Sequence, residues 1–263
     1  MRRAAAFALP ALLLAGCAAA SQAPAQTDAL TIESRYPLEY AKQFTVDVCA
    51  GGYDLITIDG SRYLVVPEGA AAPANLDADI TVLQQPIQNI YLVSSSAMDP
   101  IISIGGLGAV ALSGTQAENW YLDAARTAME QGEIAYAGKY SAPDYETILS
   151  ADCGLAIENT MIYHTPEVKE QLEKFGVPVL VERSSYESGP LARMEWLKLY
   201  GILLNKTEMA EEVFRQKVEQ VAPILEQENT GKTVAFFSIT TNNLITVRRT
   251  SDYVCLLYTS PSP

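Results

Sequence analysis

The residue types that most often perform catalysis are scarce in this chain and lack their usual partners. His164 is the only histidine. No GxSxG or HExxH motif accompanies it, so a hydrolytic triad and a catalytic zinc site both lack parts. Cys49, Cys153 and Cys255 include no CxxC pair, which argues against a zinc site and a disulfide framework. Apolar neighbours favour a core position for Cys153 over a nucleophilic role. We therefore expect no enzymatic activity, no cofactor and no protein-bound metal.

Residues 106–111 offer a second kind of chemistry, the binding of a dinucleotide. Their letters, Gly-Leu-Gly-Ala-Val-Ala, fit the GxGxxA fingerprint, whose glycines let a pyrophosphate approach the N-terminus of a helix. That fingerprint requires a strand directly before it. Here residues 97–104 are predicted to be helical, and residues 109–112 are predicted to form a strand. A nucleotide-binding oxidoreductase is therefore kept only as an alternative function.

The elements that would position a binding site start with three strands and continue as alternating strands and helices. Alternating apolar and polar residues predict a hairpin over 44–49 and 54–58, followed by a strand over 61–67. Strands and helices then alternate, with predicted ranges of 89–93, 97–104, 109–112, 117–131, 155–158, 166–175 and 177–181. Such alternation favours βαβ units around a parallel sheet, which predicts a first Rossmann-like lobe over residues 31–188.

A helical connector is predicted to follow this lobe. Ser188 is expected to cap a helix that holds Pro190 in its first turn, and the apolar pattern pauses near Asn205. Thr207 is expected to cap a second helix, so that residues 189–228 form the connector. Strands at 233–239 and 242–247 then begin a second lobe over 229–253. The predicted fold class is α/β, with two Rossmann-like lobes joined by a long helix and the second lobe incomplete in this chain.

The composition and the N-terminal residues restrict the cellular locations and the classes of binding partner that this protein can have. The net charge of −13 and the pI near 4.5 argue against nucleic acid as a partner. Two arginines, an apolar run and small residues precede Cys17, which is the layout of a secretory signal. The letters Leu-Ala-Gly-Cys at residues 14–17 resemble the bacterial lipobox, whose cysteine becomes lipidated. We interpret residues 1–16 as a lipoprotein signal peptide, Cys17 as the lipidation site and residues 17–30 as a flexible tether. The alternative is an ordinary signal peptide with a chance cysteine.

Several stretches, taken in order, resemble the substrate-binding lipoproteins of ABC importers in the iron-siderophore, haem and cobalamin class. The similar stretches are 94–99 with a ligand-side loop, 145–152 with the segment before a buried strand, 176–179 with a Gly-Ile-Pro-Val strand, and 189–196 with the start of the connecting helix. The resemblance implies an extracytoplasmic protein, held to the bacterial membrane only through its lipid. It also implies capture of a small-molecule metal chelate and its delivery to ABC permease subunits. The identity of the chelate is left open among ferric catecholates, ferric hydroxamates, haem and cobalamin.

Candidate ligand contacts follow from the rule that ligands of open α/β sheets lie beyond the carboxyl ends of the strands. In the first lobe the residues just after predicted strands are Ser94, Ser95, Ser96, Met98, Glu158, Asn159, Tyr163, Ser184 and Tyr186. By resemblance, Arg248, Arg249 and Tyr253 are the ligand-facing residues of the second lobe, and Glu146 is the permease contact. The tyrosine rings are expected to pack against the organic frame of the ligand, and the arginines to offset an anionic ferric complex.

The last ten residues, 254–263, match no pattern of that class. We interpret them as non-native read-through at a broken gene end, with the native sequence stopping near Tyr253. The chain is then expected to be a fragment. A further alternative function is a scaffold lipoprotein that uses the α/β lobe to bind another protein.

Overall fold

The computed structural model describes residues 30–227 and 234–249. The predictions for Cys17, for Tyr253, for the signal peptide and for the read-through tail therefore lie outside the described residues. Within those residues the chain forms two five-stranded sheets with helices between and around them. None of the helices in these two ranges combines the length and the apolar composition needed to cross a bilayer.

The first sheet has strands in the order in which they occur along the chain. They are β1 (Ile32–Arg35), β2 (Phe44–Cys49), β3 (Tyr53–Ile58), β4 (Ser61–Val66) and β5 (Ile80–Gln84). The predicted hairpin is confirmed as β2 paired antiparallel to β3, and Gly51 and Gly52 make its turn with φ of +86° and +80°. Such positive φ values favour glycine. Strand β5 runs parallel to β4, and the sequence analysis identified neither β5 nor β1.

The second sheet is the predicted parallel sheet, with the strand order β12-β11-β6-β7-β8. Its strands are β6 (Ile90–Leu92), β7 (Val110–Ser113), β8 (Ala135–Tyr136), β11 (Ala156–Asn159) and β12 (Val179–Glu182), while β9 (Gly138–Lys139) and β10 (Ala142–Pro143) form a separate small ladder. One row of paired residues crosses the whole sheet through Leu180, Ile157, Leu92, Ser113 and Tyr136. We call the edge of the sheet just beyond this row the carboxyl edge.

Seven helices complete the described part of the chain. They are α1 (Met98–Ser103), α2 (Asp123–Glu130), α3 (Tyr145–Ser150), α4 (Pro166–Lys174), α5 (Pro190–Met194), α6 (Trp196–Leu203) and α7 (Thr207–Leu225). The main core lies between the two sheets, α1 and α6, and a second cluster lies under α3 and α4 on the other face of the parallel sheet. The parallel sheet is thus covered on both faces, as such sheets require.

Helix α2 begins later than its apolar pattern predicts. The predicted helix starts at residue 117, but Ala117–Asn119 form a single 3-10 turn and α2 begins at Asp123. The indole of Trp120 instead donates a hydrogen bond of 3.2 Å to the Ser113 hydroxyl at the end of β7. The apolar pattern over 117–131 therefore combines a non-helical segment, in which Trp120 is buried, with a shorter helix.

The predicted connector is helical, and the predicted pause near Asn205 separates α6 from α7, while a further break at Glu195, which the sequence analysis did not identify, separates α5 from α6. Gly189 and Lys206 occupy the N-cap positions of α5 and α7 without a side-chain cap, so the predicted caps at Ser188 and Thr207 are wrong. Asn205, with φ of +54°, ends the turn after α6 at the predicted pause. Helices α6 and α7 pack so closely that a Cβ on Gly201 would lie 2.5 Å from the Cβ of Ala210.

Two buried carboxylates fasten the N-terminal segment to this connector. Glu195 accepts hydrogen bonds from the amides of residues 39, 40 and 41 at 2.7–2.9 Å and pairs with the Lys198 ammonium at 2.8 Å. Glu187 accepts from the next two amides, at 2.9–3.1 Å, and from the indole of Trp196 at 3.0 Å. Five successive amides, residues 39–43, are therefore held by two side chains of the connector. We call this arrangement the amide clasp.

The residues described after α7 form an antiparallel hairpin of β13 (Phe237–Ile239) and β14 (Ile245–Val247). Both predicted strands of this region are thus present, although each is shorter than predicted. All residues of the two strands are exposed. A second α/β lobe beginning here stays a prediction.

Candidate functional site

The carboxyl edge carries a group of large apolar side chains that are exposed to solvent. Their exposed fractions range from 42% to 98%, and they are Tyr121, Tyr136, Met161, Tyr163 and Tyr186. Each lies at the end of a strand of the parallel sheet or in the connection that follows it, so β7, β8, β11 and β12 all contribute. Large apolar side chains exposed along one edge of a sheet suit the binding of another apolar surface. The sequence analysis identified Tyr163 and Tyr186 and missed the other three.

A buried carboxylate ties together three of the predicted serines. The Glu182 side chain, at the end of β12, accepts 2.9 Å hydrogen bonds from the hydroxyls of Ser94 and Ser96 and a 2.7 Å hydrogen bond from the amide of Ser184. Ser94 and Ser96 follow β6, which is separated from β12 by β11. Glu182 therefore fixes two loops of the carboxyl edge relative to each other, and Ser95 is left exposed between its neighbours.

Arg183 is the next residue along the chain and lies among three partners. Its guanidinium lies 4.5 Å from the centroid of the Tyr186 ring, 2.7 Å from an Asp59 carboxylate oxygen and 3.4 Å from the Gln43 side-chain oxygen. Asp59 belongs to the two-residue turn between β3 and β4. The first sheet thus contributes a charged residue to the carboxyl edge of the second, which the sequence analysis did not predict.

Glu158 is brought to the carboxyl edge but is enclosed beneath it. The side chain is fully buried on the face opposite Ile157, and neither carboxyl oxygen has a hydrogen-bond partner within the described residues. Burial raises the pKa of this carboxyl from 4.5 to about 8, so it holds a proton near neutrality. Tyr91 and Tyr145 are close enough for its charge to act on them. Glu158 is therefore enclosed rather than open to solvent, and its role as a ligand contact stays a prediction.

The remaining predicted residues differ in their surroundings. Met98 is fully buried in the main core, because the first turn of α1 points it inward, and its role as a ligand contact stays a prediction. The Asn159 side chain accepts the Met161 amide at 2.9 Å and so positions the 3-10 turn Thr160–His164 that carries Met161 and Tyr163. Glu146 is exposed in the first turn of α3. Arg248 and Arg249 are exposed just after β14 and stay predictions as ligand contacts.

The glycine-rich stretch lies at the opposite edge of the parallel sheet. It follows α1 and leads into β7, whereas the dinucleotide fingerprint follows a strand and opens a helix. Gly105, Gly106 and Gly108 line a cavity of about 260 Å³ together with Gln85 and Asn205. The context for binding a dinucleotide is therefore absent from this stretch.

Comparisons with known proteins agree with this fold. No model of a protein family matches the chain. An uncharacterized lipoprotein of Methanocaldococcus jannaschii is 21% identical over 178 residues, which cover 62% of this chain and 41% of that protein. The structure of the petrobactin-binding protein YclQ of Bacillus subtilis superimposes with a TM-score of 0.53 and 12% identity, over 66% of this chain and 60% of that one. The periplasmic haem-binding protein HutB of Vibrio cholerae gives a TM-score of 0.48 and 16% identity, over 61% and 58%.

The chain therefore has the mixed α/β fold of substrate-binding proteins, as predicted. It spans less than two thirds of the length of each of these proteins. The two structural neighbours are described as a petrobactin-binding protein and a periplasmic haem-binding protein.

Proposed function

We propose that this chain is the ligand-binding part of an extracytoplasmic lipoprotein that captures an iron-siderophore, or a related metal chelate such as haem or cobalamin, for an ABC permease. The observation that carries the proposal is the group of exposed aromatic side chains at the carboxyl edge. Open α/β sheets bind ligands at that edge, and the fold is shared with a petrobactin-binding protein.

The chemistry of the edge suits a ligand that presents a flat organic surface. Tyrosine supplies a large ring at a low cost in conformational entropy, and its hydroxyl tolerates water at the rim of a site. The Asn159 side chain and the Glu182 network hold the loops in place, so the rings need little ordering when a ligand binds. Metal within a chelate is coordinated by the chelator, and among the described residues no cluster of His, Cys, Asp or Glu could hold a metal ion.

A direct titration of the secreted form, without residues 1–16, tests the proposal. Calorimetry with haemin, cobalamin, a ferric catecholate and a ferric hydroxamate should give saturable binding to at least one of them. Tyr186→Ala should weaken that binding by about tenfold, because one stacked ring contributes about 0.5–1.5 kcal/mol beyond its buried area. Met209→Ala is a matched control, since Met209 is a similarly exposed apolar residue on α7. An absence of binding for all four ligands would refute the proposal.

Delivery to a permease is proposed to involve Glu146, which is exposed at the start of α3. Glu146→Arg should lower chelate uptake by cells while leaving chelate binding to the purified protein unchanged. Glu170→Arg, an exposed glutamate on α4, makes the same charge change and should have no effect. Equal uptake by both variants would contradict a role for Glu146.

Membrane attachment is proposed to require lipidation of Cys17. The lipobox-like residues 14–17 support this proposal, and one relative is described as a lipoprotein. Cys17→Ser should move the protein from the detergent phase to the aqueous phase in a detergent partition experiment. Retention of the variant in the detergent phase would show that another segment anchors the protein.

A further inference from the structure

The guanidinium of Arg183 is held at the carboxyl edge by a residue of the other sheet. Its Nη1 lies 2.7 Å from the Asp59 Oδ2, and the side chain of Arg183 is only 15% exposed. The ring of Tyr186 lies 4.5 Å from the guanidinium carbon, and that tyrosine is 55% exposed. One cation, one carboxylate and one open aromatic ring are therefore in contact at this edge.

The negative charge of Asp59 is not explained by a contribution to the stability of the fold. Its carboxylate is 53% exposed, and an ion pair with so exposed a partner contributes little to folding. The turn does not require the charge either. Asp59 and Gly60 have φ of +48° and +83° in a two-residue hairpin turn, and Asn-Gly suits such a turn at least as well as Asp-Gly. The carboxylate thus matters chiefly for the electrostatic field at Arg183 and Tyr186.

We propose that Asp59 is a charge-selecting residue of the carboxyl edge, which neutralises Arg183 so that the edge favours chelates of low negative charge over strongly anionic ones. This inference rests on the proposed function. A flat ligand stacked on the face of the Tyr186 ring away from Arg183 lies about 8 Å from the guanidinium, which is close to the screening length at physiological ionic strength, and the Asp59 carboxylate pairs directly with that guanidinium. At that separation the carboxylate repels an anionic ligand and offsets the attraction of Arg183.

The substitution Asp59→Asn tests this role, because asparagine keeps the turn and removes only the charge. Two probes are titrated, the Fe(III) tris-catecholate complex, which carries three negative charges, and an uncharged Fe(III) trihydroxamate. We expect Asp59→Asn to strengthen binding of the tris-catecholate by about fivefold and to leave binding of the trihydroxamate within about twofold. The gain should disappear in 1 M salt, where the screening length falls to about 3 Å.

Asp47→Asn is the matched control, because Asp47 of β2 pairs with Arg35 of β1 at 3.0 Å in the same sheet as Asp59. A gain for the tris-catecholate that is equal in the Asp47 and Asp59 variants would overturn the inference, since net charge alone would then explain it. An equal change for both probes in Asp59→Asn would also overturn it. If neither probe binds the wild type or the variants, the inference fails together with its premise. Binding by the wild type without a charge-dependent difference refutes the inference alone.

Discussion

Replacing Glu158 with glutamine is expected to abolish a loss of stability that the wild-type protein undergoes as the pH rises from about 4.5 to about 8. Burial raises the pKa of this carboxyl from 4.5 to about 8, so the folded protein keeps a proton that the unfolded chain releases. Across this window the free energy of unfolding falls by about 1.4 kcal/mol per pH unit, on the order of 4–5 kcal/mol in all.

A second buried carboxylate, that of Glu195, affects the pH dependence of stability in the opposite direction and at lower pH. Burial raises the pKa of Glu195, but hydrogen bonds from Lys198 and from three backbone amides outweigh burial and hold this pKa below its ordinary value of 4.5. Its stabilisation is present above pH 4.5 and is lost as the pH falls through the lowered pKa. Above its ordinary pKa, Glu195 therefore adds no opposing slope to the one expected from Glu158.

Urea unfolding at pH 5, 6, 7 and 8, followed by tryptophan fluorescence, measures this slope. Glutamine has nearly the shape of the protonated acid and does not titrate, so Glu158→Gln should approach the wild type in stability at pH 5 and exceed it at pH 8. Glu170→Gln, an exposed change on the neighbouring helix α4, should leave the wild-type slope intact. Parallel stability curves for the wild type and Glu158→Gln would refute the reasoning.

Three further predictions concern the core. Glu195→Gln should cost about 3–5 kcal/mol in urea unfolding, because the buried Lys198 then loses its counter-charge. Gly201→Ala should lower the free energy of unfolding by about 1–3 kcal/mol, because the added Cβ would lie 2.5 Å from a Cβ of α7. The higher helix propensity of alanine offsets part of this loss. Burial raises the pKa of the thiols of Cys49 and Cys153, so peptide mass spectrometry should find both unalkylated by iodoacetamide at pH 8 until the protein unfolds.

The first two of these predictions each have an internal control. Glu212→Gln breaks an exposed pair with Arg215 on α7 and should change stability by less than about 1 kcal/mol. Gly108→Ala adds a Cβ with no atom within 4 Å and should be nearly neutral. A larger loss for either control than for its partner would contradict the packing described here. Rapid alkylation of Cys153 in the folded protein would show that the cluster under α3 and α4 opens readily.

Local patterns predicted the elements whose partners are close in sequence. The β2–β3 hairpin was predicted correctly because alternation and two glycines lie within one short stretch. Strand β5 was missed, since it pairs with β4 in parallel across a connection that the pattern does not specify. The caps at Ser188 and Thr207 were wrong, because the neighbouring residues Gly189 and Lys206 take the cap positions.

The sequence predicted those residues of the candidate site that directly follow a strand, because the order of strands and helices is enough to place them at the carboxyl edge. The rule on strand ends identified Ser94, Ser96 and Ser184, which the structure does bring together. The residue that joins them, Glu182, was missed, because two of its partners, Ser94 and Ser96, follow a strand that is not the neighbour of β12 in the sheet. Asp59 was missed for a similar reason, since only the packing of one sheet on the other brings it to the carboxyl edge.

The amide clasp has a consequence for the way in which this chain folds. The carboxylates of Glu187 and Glu195 lie 144–156 residues after the amides that they bind. A chain that leaves the ribosome or a translocation channel from its N-terminus cannot fix residues 39–43 until the connector has also emerged. We therefore expect docking of the N-terminal segment to be a late step in folding, because contacts between residues so distant in sequence form slowly. Such a delay would leave the N-terminal segment undocked until α5 and α6 have emerged and folded.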